Sequence, residues 1–176
     1  MENYYINNRD TNDIYLYFQM VRQIEPVSIL DIGMLLKRCG AISRQVVDQG
    51  IPGETRLDGI DFKPELELPI YSTIYNHITS LDSFLKMDPA ATVPSELPDQ
   101  YDLALLLCPE PILSETELSK ILLRCSRLCK YLVIPKSPCT AQYPDREEFH
   151  IRHLRELHVE ENTYYLFFFD PDERSL

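Results

Sequence analysis

Basic residues are the scarcer of the two charged classes in this 176-residue chain. Lys and Arg number 17 against 28 Asp and Glu, so the formal net charge is −11 with His counted as neutral. A protein that binds nucleic acid without sequence preference needs a basic face that displaces phosphate counterions, and anionic membranes repel an acidic surface. The charge balance argues against bulk nucleic-acid binding and against membrane binding. A small molecule or a protein remains as the expected substrate.

Long apolar runs and paired cysteine motifs are also missing. No apolar run reaches 18 residues, no secretory signal is visible, and the five cysteines form no C-x-x-C pair. These absences indicate a cytoplasmic, reduced protein. Its length and its hydrophobic fraction of 44% suit a single domain over residues 1–176, with a loose lead-in at residues 1–12.

No metal site is expected from the cysteine and histidine spacing. Cys125 and Cys129 lie four residues apart in a helical pattern, which favours small core-facing side chains. His150, His153 and His158 fall on a predicted strand whose side chains alternate between two faces. We interpret them as surface positions of an edge strand.

Short apolar runs alternate with helical patterns along most of the chain. The predicted helices cover residues 13–24, 41–49, 81–87, 114–128 and, as a short piece, 141–149. The predicted strands cover residues 27–32, 57–61, 73–78, 101–108 and 131–134, and an antiparallel pair follows at 150–158 and 163–169. Residues 147–157 also carry a helical spacing, which leaves a helix there as the alternative.

This order of elements predicts an α/β fold. Alternating strands and helices form a mostly parallel, Rossmann-like sheet with helices on both faces. The final hairpin requires a C-terminal antiparallel strand. The wholly apolar run at residues 164–169 predicts a strand covered on both faces.

The ends of the first two strands carry the residues that a nucleoside-bearing cofactor needs. In a parallel sheet, ligands bind beyond the carboxyl ends of the strands, where the strand order reverses. Gly33 follows the first strand and lets a ligand approach the backbone. Asp61 ends the second strand and offers a carboxylate to ribose hydroxyls.

Four segments together resemble the class I S-adenosylmethionine-dependent methyltransferases. Ile29-Leu-Asp-Ile-Gly33 is similar to the first motif of that family, and Gly59-Ile-Asp61 to its second-strand acidic motif. The run at residues 101–107 resembles the fourth strand, and the terminal hairpin resembles the last two strands. The resemblance covers residues 14–170 and implies S-adenosylmethionine as the cofactor.

The resemblance also implies roles for six residues. It implies that Asp31 orients the first loop, that Gly33 faces the methionine part of the cofactor and that Asp61 holds the ribose. It further implies that Phe62 flanks the adenine. Two more positions complete the implied site: His77, where the family often has an acid after the third strand, and Cys108, which faces the reacting methyl group. No catalytic residue is assigned.

The glycine loop departs from the family pattern. In direct register, Leu35 and Lys37 stand where the second and third glycines belong, and the alternative is an insertion that gives Gly40 the last glycine's role. The leading hypothesis is therefore a methyltransferase with impaired cofactor binding. The second hypothesis is an inactive methyltransferase-fold interaction module. A nicotinamide-dependent oxidoreductase fits less well, because the terminal hairpin does not suggest it.

Overall fold

A seven-stranded sheet organises the chain in this computed structural model. The structure describes residues 8–33, 44, 55–62, 71–86, 100–107 and 113–169. In chain order, the described strands are β1 (Ser28–Ile32), β2 (Arg56–Asp61), β3 (His77–Ser80), β4 (Tyr101–Leu105), β5 (Cys129–Pro135), β6 (Ile151–Val159) and β7 (Asn162–Phe169). The described α-helices are α1 (Asn8–Ile24), α2 (Tyr71–Ile74), α3 (Leu81–Lys86) and α4 (Glu115–Leu128).

The strand order is β3-β2-β1-β4-β5-β7-β6. The first five strands of this order pair in parallel, whereas β7 is antiparallel to both β5 and β6. The order reverses between β1 and β4, because the chain adds β2 and β3 on one side of β1 and then returns to the other side. The predicted α/β fold with a C-terminal antiparallel strand is confirmed.

Each face of the sheet has its own hydrophobic core. On one face, α1 packs Leu16, Tyr17, Met20 and Val21 against side chains that include Leu57 of β2. The opposite face holds Phe84 of α3 and the apolar stripe of α4, which consists of Leu118, Ile121, Leu122 and Cys125. Strands β1, β4 and β5 contribute alternate residues to both cores, which explains why their sequences are mostly apolar.

Helix α4 begins as its sequence predicts. The Ser114 hydroxyl accepts a hydrogen bond from the Glu117 backbone N–H, and the Glu117 carboxylate accepts one from the Ser114 N–H at 2.8 Å. These bonds form a capping box. The hydrogen bonds from Ser114 also lower the pKa of Glu117.

The terminal hairpin is confirmed as strands. Residues 151–159 form β6, so the alternative helix over residues 147–157 is wrong. Strand β7 lies between β5 and β6, and its side chains from Tyr164 to Phe167 are buried on both faces. Pairing with the apolar strand β7 therefore decides the secondary structure of residues 151–159, and the helical spacing of their apolar residues does not.

Three sequence predictions differ from the structure. Helix α1 begins at Asn8, so part of the predicted lead-in is helical. The short helix predicted at 141–149 consists of two 3-10 turns, at Tyr143–Asp145 and Glu147–Phe149. Most of the helix predicted at residues 41–49 lies outside the described residues, as does Cys39.

The third strand begins four residues later than its predicted start at residue 73. Residues Tyr71–Ile74 form helix α2, and Ile74 and Tyr75 are buried in the core beneath α1. The Asn76 N–H donates to the Leu57 carbonyl at 2.7 Å, and strand pairing starts only at His77. The apolar residues before it therefore fill the core rather than alternate along a strand.

Among the described helices, none is long and apolar enough to cross a membrane.

Candidate functional site

Gly33 follows the last residue of β1 in a conformation that favours glycine. Its φ is +86°, and its N–H donates to the Ile60 carbonyl at 2.8 Å. A Cβ atom at this position would lie 2.9 Å from Cε2 and 3.1 Å from Cζ of Phe62. The backbone conformation therefore disfavours any other residue, and a Cβ atom would in addition require the Phe62 ring to shift. The structure brings Gly33 and Phe62 into direct contact, as neighbours at the carboxyl edge of the sheet.

Asp31 is fully buried in the core beneath α1. The Tyr75 hydroxyl donates a hydrogen bond of 2.7 Å to the Asp31 Oδ2 atom, and both side chains are at most 3% exposed. This bond joins β1 to the segment that enters β3. Asp31 therefore has a structural function in addition to the loop-orienting role that the resemblance implies.

Asp61 is the last residue of β2 and is 2% exposed. In the pairing of β1 with β2, Asp31 lies opposite Gly59, which is two residues before Asp61. Because side chains alternate along a strand, Asp31 and Asp61 point to the same face of the sheet. The structure thus places two buried carboxylates, one on each of two adjacent strands, beneath the carboxyl edge.

His77 does not follow the third strand. It is the first residue of β3 and lies opposite Asp58, near the amino end of β2. It is therefore at the wrong end of the sheet for the role that the resemblance gives it. The error follows from the strand being predicted four residues too early.

Asp82 is the acid that follows β3, and sequence reasoning missed it. It lies in the first turn of α3, it is exposed, and it forms an ion pair of 3.2 Å with Lys86. Ser80 ends β3 and accepts a hydrogen bond of 3.2 Å from the Ser83 N–H. Ser80 stands immediately before the helix as a residue type that favours a helix N-terminus, and this is the sequence signal that locates the strand end.

Strand β4 leads to a part of the site that the structure does not describe. Leu106 and Leu107 are buried, and the Leu106 N–H donates to the Val133 carbonyl at 2.9 Å. Cys108 lies outside the described residues, as do Pro109 and Glu110. The loop that carries Met34, Leu35, Leu36, Lys37 and Gly40 lies outside them too.

A second buried polar contact lies at the same edge. The Tyr164 hydroxyl donates to Asp13 Oδ1 at 2.6 Å, and both side chains are at most 2% exposed. Tyr164 pairs with Pro135 at the carboxyl end of β5. The bond therefore fastens the amino-terminal half of α1 to the carboxyl edge of the sheet. The two residues are 151 positions apart, so no local pattern predicts it.

The opposite edge of the sheet carries a separate polar cluster. Asp58 Oδ2 accepts hydrogen bonds of 2.7 Å from the Tyr101 hydroxyl and from Arg56 Nε. Burial and the hydrogen bond to Asp58 raise the pKa of Tyr101 well above its ordinary value. Asp58 is therefore held by two donors at the amino ends of the strands, away from the candidate cofactor site.

The described residues contain no group of three or more His, Cys, Asp or Glu side chains that could hold a metal ion. His153 and His158 are exposed on β6, which forms the edge of the sheet, and His150 is exposed immediately before it. Cys125 and Cys129 are buried in the core beneath α4, as their spacing predicts.

Solved structures share this fold at low sequence identity. The methyltransferase domain of bacterial CtHen1 superposes with a TM-score of 0.58 at 12% identity, over 92% of this chain and 99% of that one. The O-methyltransferase TomG from Streptomyces achromogenes, solved with S-adenosylmethionine, gives 0.55 at 11% identity over 90% and 79%. Magnesium protoporphyrin IX methyltransferase (ChlM) from Synechocystis PCC 6803, with bound S-adenosylmethionine, gives 0.52 at 13% identity over 96% and 87%.

No protein-family model matches the sequence, and no curated protein matches it significantly. The likeness is thus one of structure. It agrees with the strand order, with the antiparallel β7 between β5 and β6, and with the helices on both faces. The chain has the fold of the class I S-adenosylmethionine-dependent methyltransferases.

Proposed function

We propose that the chain binds S-adenosylmethionine at the carboxyl edge of β1 and β2 and transfers its methyl group to a small-molecule or protein acceptor. The proposal rests on one observation. Gly33, Asp61 and Phe62 lie next to one another at the carboxyl ends of β1 and β2, beside the point where the strand order reverses. A parallel sheet binds nucleoside cofactors at this place. The expectation of a cytoplasmic protein without bulk nucleic-acid or membrane partners stays a prediction.

The residues present suit the cofactor's nucleoside. Gly33 holds the turn after β1 at a positive φ and leaves room for the Phe62 ring beside it. A carboxylate at Asp61 accepts hydrogen bonds from two ribose hydroxyls, and the Phe62 ring offers a flat apolar face to adenine. Asp82 at the end of β3 adds an exposed carboxylate that can accept from the adenine amino group.

The bound cofactor supplies a sulfonium methyl group to a nucleophilic acceptor. The protein contributes mainly by positioning the two reactants. Asp31 and Tyr75 fix the end of β1 through their buried hydrogen bond, and Asp13 with Tyr164 fixes α1 against the carboxyl end of β5. These contacts hold rigid elements on both sides of the reversal point, where the two reactants must meet.

Two observations support reduced affinity. Asp61 is only 2% exposed, so ribose binding requires its cover to move. In the sequence, direct register puts Leu35 and Lys37 where the family has two loop glycines, whereas an insertion would give Gly40 the last glycine's role. The second candidate function, an inactive methyltransferase-fold interaction module, rests on the same two observations.

Calorimetric titration with S-adenosylmethionine and with its demethylated product tests the proposal. We expect the wild type to bind, and Asp61→Ala to weaken binding at least tenfold, because charged hydrogen bonds contribute roughly 1.5–3 kcal/mol each. Asp145→Ala is the matched control, since Asp145 is exposed in a 3-10 turn after β5. Thermal melting of each variant checks that the fold is retained.

Each result of the titration has a defined reading. Binding that Asp61→Ala leaves unchanged contradicts the assignment of Asp61. A wild type that binds neither ligand contradicts the proposal, and recovery of binding in the double variant Leu35→Gly with Lys37→Gly then attributes the loss to the loop. A dissociation constant in the low micromolar range refutes reduced affinity.

A further inference from the structure

Two buried hydrogen bonds of the same kind lie in different parts of the sheet. The Tyr75 hydroxyl donates to Asp31 at 2.7 Å, and the Tyr101 hydroxyl donates to Asp58 at the same distance. All four side chains are at most 3% exposed. Tyr75 belongs to the core beneath α1 and reaches the end of β1, whereas Tyr101 belongs to the opposite core and reaches the amino end of β2. Of these two bonds, the first alone lies beneath the candidate cofactor site.

The backbone on both sides of Tyr75 is fixed by hydrogen bonds. Arg44 donates to the Ile74 carbonyl at 2.8 Å and to Asn76 Oδ1 at 2.9 Å. The Asn76 N–H donates to the Leu57 carbonyl at 2.7 Å, and its Oδ1 atom accepts from the Leu57 N–H at 2.9 Å. Side chains that hold a functional group in place are themselves locked by packing and hydrogen bonds. The ring of Tyr75 has this kind of support, because strand β2 fixes the segment that delivers it.

Asp31 lies between the nucleoside position and the point where the strand order reverses. Its strand, β1, has β2 with Asp61 on one side and β4 on the other. Under the proposed function, the ribose lies at Asp61 and the methyl group must reach the reversal point, so the rest of the cofactor crosses the end of β1. That part contains both cationic groups of S-adenosylmethionine, the sulfonium and the α-ammonium, whereas the nucleoside has none. A carboxylate beneath the end of β1 complements this part of the cofactor.

We infer, building on the proposed function, that Tyr75 is a positioning residue of the cofactor site and acts through Asp31 on the methionine part of S-adenosylmethionine. The hydroxyl fixes the orientation of the carboxylate, and a hydrogen bond to a charged group favours its charged form. Burial keeps water and salt from screening that charge, so it acts on a cation at the carboxyl edge without touching it. Neither side chain needs to contact the cofactor, and Asp31 is fully buried.

Calorimetric titration of the wild type and of Tyr75→Phe with three ligands tests this inference. S-adenosylmethionine carries both cations, its demethylated product has lost the sulfonium charge, and methylthioadenosine lacks the whole amino-acid part. We expect Tyr75→Phe to weaken binding of S-adenosylmethionine at least about fivefold, of the demethylated product by a smaller factor and of methylthioadenosine by less than about twofold. A merely structural role would weaken all three alike, because they share the nucleoside.

Two further variants show whether the effect passes through Asp31. Tyr101→Phe is the matched control, because it removes the same hydroxyl from a buried aspartate in the opposite core, and it should leave all three affinities unchanged. Asp31→Asn should weaken the same ligands as Tyr75→Phe, and adding Tyr75→Phe in that background should cause little further loss. Additive losses would contradict action through Asp31. If Tyr75→Phe does not fold, Asp31→Asn carries the same comparison of ligands.

The outcomes separate this inference from the proposed function. A wild type that binds none of the three ligands contradicts the proposed function, and this inference with it. A wild type that binds them, together with a Tyr75→Phe variant that weakens all three by the same factor or weakens none, contradicts this inference alone. An equal effect of Tyr101→Phe on S-adenosylmethionine would also overturn it, because the place of the bond beneath β1 would then not matter.

Discussion

Replacement of Gly33 by Ala is expected to destabilise the protein through two separable effects. The residue has a φ of +86°, and a left-handed conformation costs an L residue roughly 1–2 kcal/mol. The added Cβ would also lie 2.9 Å from Cε2 of Phe62, closer than a normal van der Waals contact. Overpacking of this kind costs about 1–3 kcal/mol. The expected loss of unfolding free energy is therefore roughly 2–5 kcal/mol.

A second substitution isolates the steric part. Phe62→Leu removes the ring atoms that the new methyl group would meet, while the backbone of Gly33 keeps its conformation. In that background Gly33→Ala should cost only the conformational part, roughly 1–2 kcal/mol. The difference between the two costs, roughly 1–3 kcal/mol, is the coupling energy between the two positions.

Urea denaturation followed by circular dichroism measures all four proteins of this double-mutant cycle. Each transition gives a free energy of unfolding and an m-value, and equal m-values indicate that the denatured state is unchanged. Phe62→Leu alone serves as the reference for loss of the ring. If Gly33→Ala costs the same in both backgrounds, the ring of Phe62 does not lie against Gly33. A total cost below about 1 kcal/mol would contradict the left-handed conformation as well.

Three other predictions concern the core and the amino edge of the sheet. Phe167→Ala should cost roughly 3–5 kcal/mol of unfolding free energy in the same urea assay, because the ring is fully buried in the central part of β7. Tyr101→Phe should cost about 1–3 kcal/mol, because it removes a hydrogen-bond donor from the buried carboxylate of Asp58. Asp102→Asn should destabilise at neutral pH but not in acid. Burial alone would raise the pKa of Asp102, but hydrogen bonds from Lys130 and from backbone N–H groups outweigh it and lower the pKa.

The sign of the pH effect follows from that lowered pKa. A carboxyl group with a depressed pKa in the folded state stabilises the protein above its unfolded pKa of about 3.9. The contribution disappears as the pH falls through the lower, folded value. The difference between wild type and Asp102→Asn should therefore shrink below about pH 4, and a constant difference down to acid pH would contradict the assignment.

The control for the other two predictions is a substitution at Val27, the exposed residue just before β1. Val27→Ala should change stability by less than about 0.5 kcal/mol, because Val27 is 70% exposed. A loss below about 1 kcal/mol for Phe167→Ala would show that β7 is not covered on both faces. If Tyr101→Phe proves neutral, the Asp58 carboxylate does not depend on the tyrosine hydroxyl.

The strand content of the fold could be predicted because it is encoded locally. The apolar run before Cys108 and the short segments that lead to Asp31 and Asp61 read as buried strands, and the turn at residues 160–161 separates two runs of strand-forming residues. The position of β3 was predicted wrongly. Ile74 and Tyr75 look like part of a strand, but the core beneath α1 takes up their side chains before the strand begins.

The polar contacts of the candidate site could not be predicted from the sequence. Tyr75 and Asp31 are 44 positions apart, and Tyr164 and Asp13 are 151 apart, so each bond exists only after the sheet has formed. The sequence does show an acidic residue near the end of each of β1 and β2, and it shows a glycine, Gly33, directly after the first apolar segment. What the sequence could not show is the ring of Phe62 against Gly33, because that contact depends on the register of β1 with β2.

The antiparallel entry of β7 between β5 and β6 has a consequence for how the protein forms during synthesis. Of the described strands, β7 leaves the ribosome last. It nevertheless occupies an interior position in the sheet, and its aromatic side chains pack into both cores. Until it arrives, β5 exposes an open edge beside apolar side chains, a state that favours aggregation. The parallel half of the sheet cannot complete either core alone. We therefore expect cooperative folding to begin only after β7 has emerged, and a nascent chain stopped before residue 162 to depend on chaperones.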